Sequence, residues 1–161
     1  MIKAIHIFDF DGTLVDSSHR YRAIDNKRID LQYWIDNSHL AHLDKPIKPV
    51  CDIFRELVKS SFDYPLIATA RILCDGFWKV CNDAGINPPS LIARKDRTCN
   101  KGGAELKIAH VDRLLNLKQF SKVSEIHVYE DNLAYLEKIA LHYAKKGYNV
   151  VKNYYPSNQG H

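Results

Sequence analysis

Apolar and polar positions along the chain change their period several times, and each change marks an element. Lys3 to Phe8 alternates and carries β-branched residues, which predicts a strand. Lys48 to Ser60 sets Val50, Ile53, Phe54, Leu57 and Val58 at helical spacing, and Pro49 suits the first turn. Pro65 to Thr69 is a short apolar run, the mark of a buried strand. Asp75 to Ala84 reads as a helix with Phe77, Val80 and Cys81 inward, stopped at Gly85. A short strand over Ser90 to Ala93 and a helix over Ala104 to Leu117 follow. The pattern then gives a strand over Glu125 to Tyr129, a helix over Leu133 to Lys146 closed by Gly147, and a last strand over Tyr148 to Lys152. Asn153 to His161 reads as a loose tail.

Strands that alternate with helices pair in parallel, so the expected fold class is α/β, a Rossmann-like doubly wound parallel sheet. Ligands of such sheets bind beyond the carboxyl ends of the strands, near the switch in strand order. Asp16 to Lys45 interrupts the alternation with a polar, charged stretch around Tyr33, Trp34 and Ile35. We expect one or two helices there, forming a small cap or an ordinary surface insert. The whole chain, residues 1–161, is expected to be one domain with 16–45 as its insert.

Composition narrows this little. Hydrophobic residues make up 45% and charged residues 26%, a globular balance that excludes a disordered or fibrous chain. The net charge of +4 is compatible with an anionic partner and equally with a solvated surface. No run reaches the roughly 20 apolar residues of a membrane helix, and the first residues lack the basic start of a signal peptide. A cytoplasmic location is therefore expected, with no membrane partner. Cys51, Cys74, Cys81 and Cys99 form no metal-binding spacing and read as free thiols.

The chemistry sits at the predicted strand ends. The first strand runs into Asp9-Phe10-Asp11-Gly12-Thr13, and carboxylates two apart on extended backbone face the same side. Their mutual repulsion calls for a cation, and hard oxygen ligands suit Mg²⁺. The second strand ends at Thr69, followed by Arg71; a hydroxyl and a guanidinium there can bind phosphate oxygens. Lys107 lies near the start of a later helix, and Glu130-Asp131 closes the fourth strand as a second acidic pair. Taken singly, each piece has a plain structural reading: an acidic turn, a strand-end threonine, a surface lysine, a helix N-cap. Their joint placement at one edge of the sheet is what carries the inference.

Asp9 to Thr13, Thr69, Lys107 and Glu130-Asp131 resemble, in order, the four motifs of the haloacid dehalogenase (HAD) superfamily. The resemblance implies a phosphatase with an aspartyl-phosphate intermediate. Asp9 would be the nucleophile and Asp11 the general acid and base, with Thr69 and Lys107 as further catalytic residues. Mg²⁺ would be held by the Asp9 side chain, the Asp11 backbone carbonyl, Glu130 and Asp131. A narrower resemblance is to the 3′-phosphatase domain of bacteriophage polynucleotide kinase and to stand-alone phage phosphatases. It rests on those motifs, on Thr69-Ala70-Arg71, on Asp96-Arg97 through Lys101 to Lys107, and on Asp16 to Arg20. It implies a phosphorylated nucleic-acid end as partner, with Arg71, Arg20, Arg97 and Lys101 binding substrate, and the host cytoplasm as location if the source is a phage. A nucleotide or other small phosphate ester is the alternative, with Tyr33 and Trp34 enclosing a base, and a catalytically silent nucleic-acid-binding module is the third reading. His19 is expected to face solvent, and Trp34 to pack within the insert. From Ile92 to Lys122 there are eight Lys/Arg against three acids, a basic stretch able to hold a polyanion. Nothing argues for a P-loop kinase, because no G-x-x-x-x-G-K-[ST] loop occurs.

Overall fold

The structure is a computed structural model that describes residues 1–25 and 28–157. Its centre is a five-stranded sheet made of β1 (Ala4–Phe8), β6 (Asp63–Ile72), β7 (Leu91–Arg94), β8 (Glu125–Glu130) and β9 (Asn149–Tyr154). The order is β7-β6-β1-β8-β9, and every neighbouring pair is parallel. In chain order these are strands 3-2-1-4-5, so the direction of winding reverses between β1 and β8. That is the point where Asp9 and Glu130 emerge.

The alternation along β1 serves both faces. Phe8 points into a cluster with Val50, Phe54, Phe77 and Val80, built from α2 (Lys48–Lys59) and α3 (Asp75–Asp83). Ile5 and Ile7 point the other way, toward Val111, Leu136, Ile139 and Tyr143 on α4 (Gly103–Leu115) and α5 (Leu133–Lys145). Helices on both faces bury the central strand β1 throughout and most of β6, which is why Pro65 to Thr69 reads as a nearly continuous apolar run, while the edge strand β9 stays largely exposed. The described helices are all too short or too polar to cross a membrane. All four cysteines are free; Cys51 and Cys81 are buried, while Cys74 and Cys99 are only partly so.

Two expectations change. β6 runs on past Thr69 to Ile72, with an irregular register against β7 between Ala68 and Ile72. Arg71 is therefore held on sheet backbone. The tail is also less loose than its composition suggests. β9 extends to Tyr154, and Tyr155 N donates to Glu130 O at 3.0 Å, continuing the β8 ladder. Residues 158–161 lie outside the described part.

The insert begins and ends at a two-stranded neck, where β2 (Val15–Asp16) pairs antiparallel with β5 (Lys45–Pro46). Between them lie a turn of 3₁₀ helix (Ser18–Arg20), the short strands β3 (Ala23–Asp25) and β4 (Arg28–Ile29), the helix α1 (Leu31–Asp36) and a second 3₁₀ segment (Ser38–Leu43). Among its described residues the insert thus contains one short α-helix, within the one or two expected. It packs on α3 at Gly76, where a Cβ would come within 2.6 Å of His42 N. Only a glycine permits that approach.

Candidate active site

The turn after β1 sets the geometry. Gly12 has φ +80°, and a Cβ there would collide with Asp131 Oδ2. The chain therefore reverses directly against the acidic pair at the end of β8. Asp9, Glu130 and Asp131 are all buried, and one carboxylate oxygen of each lies within 4.8 Å of the others. Lys107 reaches this trio from the first turns of α4. Its Nζ donates to Asp9 Oδ1 and to Glu130 Oε2, both at 2.6 Å.

Electrically this trio is unbalanced. Three carboxylates face one ammonium, which leaves two negative charges if all are ionised. Burial, with Glu130 adding to it, pushes the Asp9 carboxyl up to about 8. Burial and the neighbouring Asp9 push Asp131 up to about 6, against the hydrogen bond it accepts from Ser157 Oγ. Burial likewise raises Glu130. Lys107 is also buried, but Asp9 and Glu130 outweigh that and hold its ammonium well above the usual lysine range. An all-oxygen donor set with a two-charge deficit matches a hard divalent cation.

Asp11 sits in a second cluster. Its side chain accepts from Ser17 Oγ at 2.8 Å, from Arg20 Nη2 at 3.3 Å, and from Arg71 through Nε at 3.1 Å and through Nη2. Burial opposes its charge, yet Arg71 and then Arg20 keep its carboxyl below the ordinary value. Asp44, whose side chain has no exposed surface, joins the two arginines. It accepts from Arg20 Nε at 2.8 Å and Nη2 at 2.9 Å, and from Arg71 Nη2 at 2.8 Å. The Arg20 guanidinium also lies 3.8 Å from the centre of the Trp34 ring. Two buried donors have no hydrogen-bond partner among the described residues: Arg71 Nη1 and the hydroxyl of Thr13.

The structure thus brings Asp9, Lys107, Glu130 and Asp131 together, and gathers Asp11, Arg71 and Arg20 beside them. The Asp11 side chain is outside the carboxylate trio, so any part it has in holding a metal falls to its backbone carbonyl. Thr69 is buried, and its Oγ1 accepts from Arg71 N at 3.1 Å. Arg97 and Lys101 do not join either cluster; both are exposed in the loop after β7. That loop is tied to β6 by Arg94, whose Nε donates to Ala70 O at 3.0 Å and whose Nη1 donates to Cys99 O. His19 is exposed as expected and points at Leu40 O, 3.2 Å away. Asp44 and Ser157 escape a sequence reading, and Ser17 enters it only as part of the Asp16 to Arg20 stretch. Asp44 stands in no motif, and Ser157 falls in the tail.

No protein-family model and no curated protein matches the chain. Among solved structures, the HAD domain of the effector protein Lem4 from Legionella pneumophila superimposes with a TM-score of 0.61 at 16% identity, over 97% of this chain and 88% of that one. The chain has a HAD-like fold. Two structures of a Pnkp1/Rnl/Hen1 complex, one titled an RNA repair complex, share it with TM-scores of 0.60 and 0.62 at 14% and 13% identity. They too are matched over 97% of this chain, which spans 47% and 44% of those longer chains. Apart from the fold, the buried trio Asp9, Glu130 and Asp131 is an acidic group of a size that could hold a metal ion.

Proposed function

We propose that this protein is an Mg²⁺-dependent phosphomonoesterase that works through an aspartyl-phosphate and removes 3′-phosphates from nucleic-acid ends. One observation carries the chemistry. Asp9 is buried between the Lys107 ammonium and an acidic pair, with Asp11 two residues further along the same turn. A carboxylate so held is a competent nucleophile toward phosphorus once its charge is screened.

Asp9, Glu130 and Asp131 would hold the cation, with the Asp11 carbonyl. When bound, it neutralises the excess carboxylate charge and charge developing on the phosphoryl oxygens. The remaining steps fall to the chain. An Asp9 oxygen attacks phosphorus as the ester P–O bond breaks, and Asp11 gives the departing oxygen a proton. Asp11, now a carboxylate, takes a proton from water as the water oxygen attacks phosphorus. The P–O bond to Asp9 then breaks, releasing phosphate and restoring both acids. Lys107 steadies Asp9 and the transferring group. The unpartnered Arg71 Nη1 is a donor ready for a phosphate oxygen. A phosphate that draws Arg71 away from Asp11 also removes the charge that keeps Asp11 ionised, which suits it to act as an acid.

Two features support a nucleic-acid end over a free nucleotide. Lys95, Arg97 and Lys101 are exposed on a loop that Arg94 fastens beside Thr69 and Arg71, where further phosphodiesters would pass. Tyr33 and Trp34, which would enclose a lone base, already carry the guanidinium groups of Arg22 and Arg20 at 4.2 and 3.8 Å. The likeness to chains of an RNA repair complex points the same way. The test is phosphate release, with Mg²⁺ and with EDTA, from 3′- and 5′-phosphorylated oligonucleotides, free 3′- and 5′-nucleotides and an aryl phosphate. Preference for the 3′-phosphorylated oligonucleotide is the expected result. Preference for free nucleotides would move the protein to nucleotide metabolism, and no Mg²⁺-dependent release from any of them would refute the phosphatase reading.

A further inference from the structure

The segment that follows β9 reaches the acidic trio. Tyr155 N is bonded to Glu130 O at 3.0 Å, so the β8–β9 ladder continues up to the acidic pair itself. Two residues later, Ser157 Oγ donates to Asp131 Oδ2 at 2.5 Å. The same hydroxyl lies 2.7 Å from the point where a Cβ on Gly12 would stand, and Asp131 Oδ2 fills that point. Three separate parts of the chain therefore meet at one carboxylate oxygen: the turn after β1, the end of β8 and the segment after β9.

We propose that Ser157 is a positioning residue of the metal site, one that sets the orientation of the Asp131 carboxylate for a divalent cation. This rests on the metal-site reading given above and goes beyond it. An aspartate carboxylate turns readily about its last bond. Here the hydroxyl of Ser157 and the bare α-carbon of Gly12 meet Oδ2, which fixes the turn of a carboxylate that stands within reach of Asp9 and Glu130. Outer hydrogen bonds of this kind orient ligating carboxylates, and losing one lowers metal affinity by roughly 10- to 100-fold. Ser157 is only partly buried, so the lower end of that range applies. Its hydroxyl acts through Asp131 and is not itself a ligand.

The test is calorimetric titration of MgCl₂ alone into the full chain, for the wild type, Ser157→Ala, Ser157→Thr and Asp131→Asn. The expected result is a dissociation constant about 10-fold higher for Ser157→Ala, with Ser157→Thr restored toward wild type because its hydroxyl remains. Asp131→Asn should bind most weakly. The melting temperature without metal should be unchanged in Ser157→Ala, which separates orientation from folding. Equal Mg²⁺ affinity in wild type and Ser157→Ala, with Asp131→Asn impaired, would overturn this proposal and leave the metal site standing. Tighter binding by Ser157→Ala would overturn it too, because the segment would then compete with the cation. No Mg²⁺ binding by the wild type, or binding unaffected by Asp131→Asn, would overturn both.

Discussion

Two clusters of buried charge flank the end of β1, and they are built on opposite principles. In the first, Asp9, Glu130 and Asp131 surround Lys107 and leave negative charge uncancelled. In the second, Asp11 and Asp44 face Arg20 and Arg71, two charges against two. Buried charges are tolerated when paired and costly when not. The balanced cluster is therefore complete as protein, apart from one orphan donor on Arg71, whereas the unbalanced one asks for a cation. On the proposed function, a phosphate ester brought between them would meet the acidic trio and its cation on one side and the unpartnered Arg71 guanidinium on the other.

The contrast can be broken most sharply at Asp9. Asp9→Asn removes the nucleophile, and turnover is expected to fall on the order of 10⁴-fold or more, the scale seen when one member of a catalytic unit is lost. Steady-state phosphate release measures this; a near-normal rate would leave the first cluster without its role. Next comes Asp44→Ala. It leaves two buried guanidinium groups short of a partner and should cost about 3–5 kcal/mol in urea unfolding. In the metal-free protein, Asp131→Asn should cost nothing by the same measurement, because it removes surplus charge. Comparable losses for the two would erase the distinction between the clusters.

Metal sharpens the contrast further. Mg²⁺ at 100 times its dissociation constant should stabilise the wild type by about 2.7 kcal/mol, visible as a higher melting temperature that EDTA reverses. A protein indifferent to Mg²⁺ would mean that the first cluster carries its charge unaided.

The smallest effect belongs to a control away from both. His6 is buried on β1, stacked on His127 with ring centres 4.3 Å apart, and bonded to Asp63 at 2.8 Å. Burial lowers its pKa, helped by His127 and opposed by Asp63. The unfolded chain therefore takes up a proton there more readily than the folded one. The contribution of His6 to stability should be intact above the ordinary histidine value near 6.5 and be lost as pH drops below it, against the opposite trend of the raised Asp9 and Asp131 carboxyls. His6→Asn should flatten that slope in melting curves taken from pH 7.5 to 5.5, and an unaltered slope would locate the dependence elsewhere.

The sheet and its helices were legible because burial marks the sequence, as a short apolar run in β6 and as a period of 3.6 in α2 and α5. The first cluster was legible for a related reason: its members sit at strand ends or a helix start, which the period locates. The second cluster was legible except for one charged member. Asp11, Arg71 and Arg20 were singled out from their motifs, but Asp44 follows a 3₁₀ segment in a stretch without any period, 24 residues from its partner Arg20. Ser157 was hidden because a polar stretch after the last strand resembles any solvated terminus. Its position follows from the β8–β9 ladder, a pairing that no local pattern records.

Gly76 lies where the insert and α3 come within backbone distance of one another. A cap hinged on flexible linkers selects by closing, and must reopen after every turnover. A wall seated backbone to backbone selects by what can be laid along it. On the proposed function, a long strand need not be swallowed by such an entrance; only its end has to reach the floor.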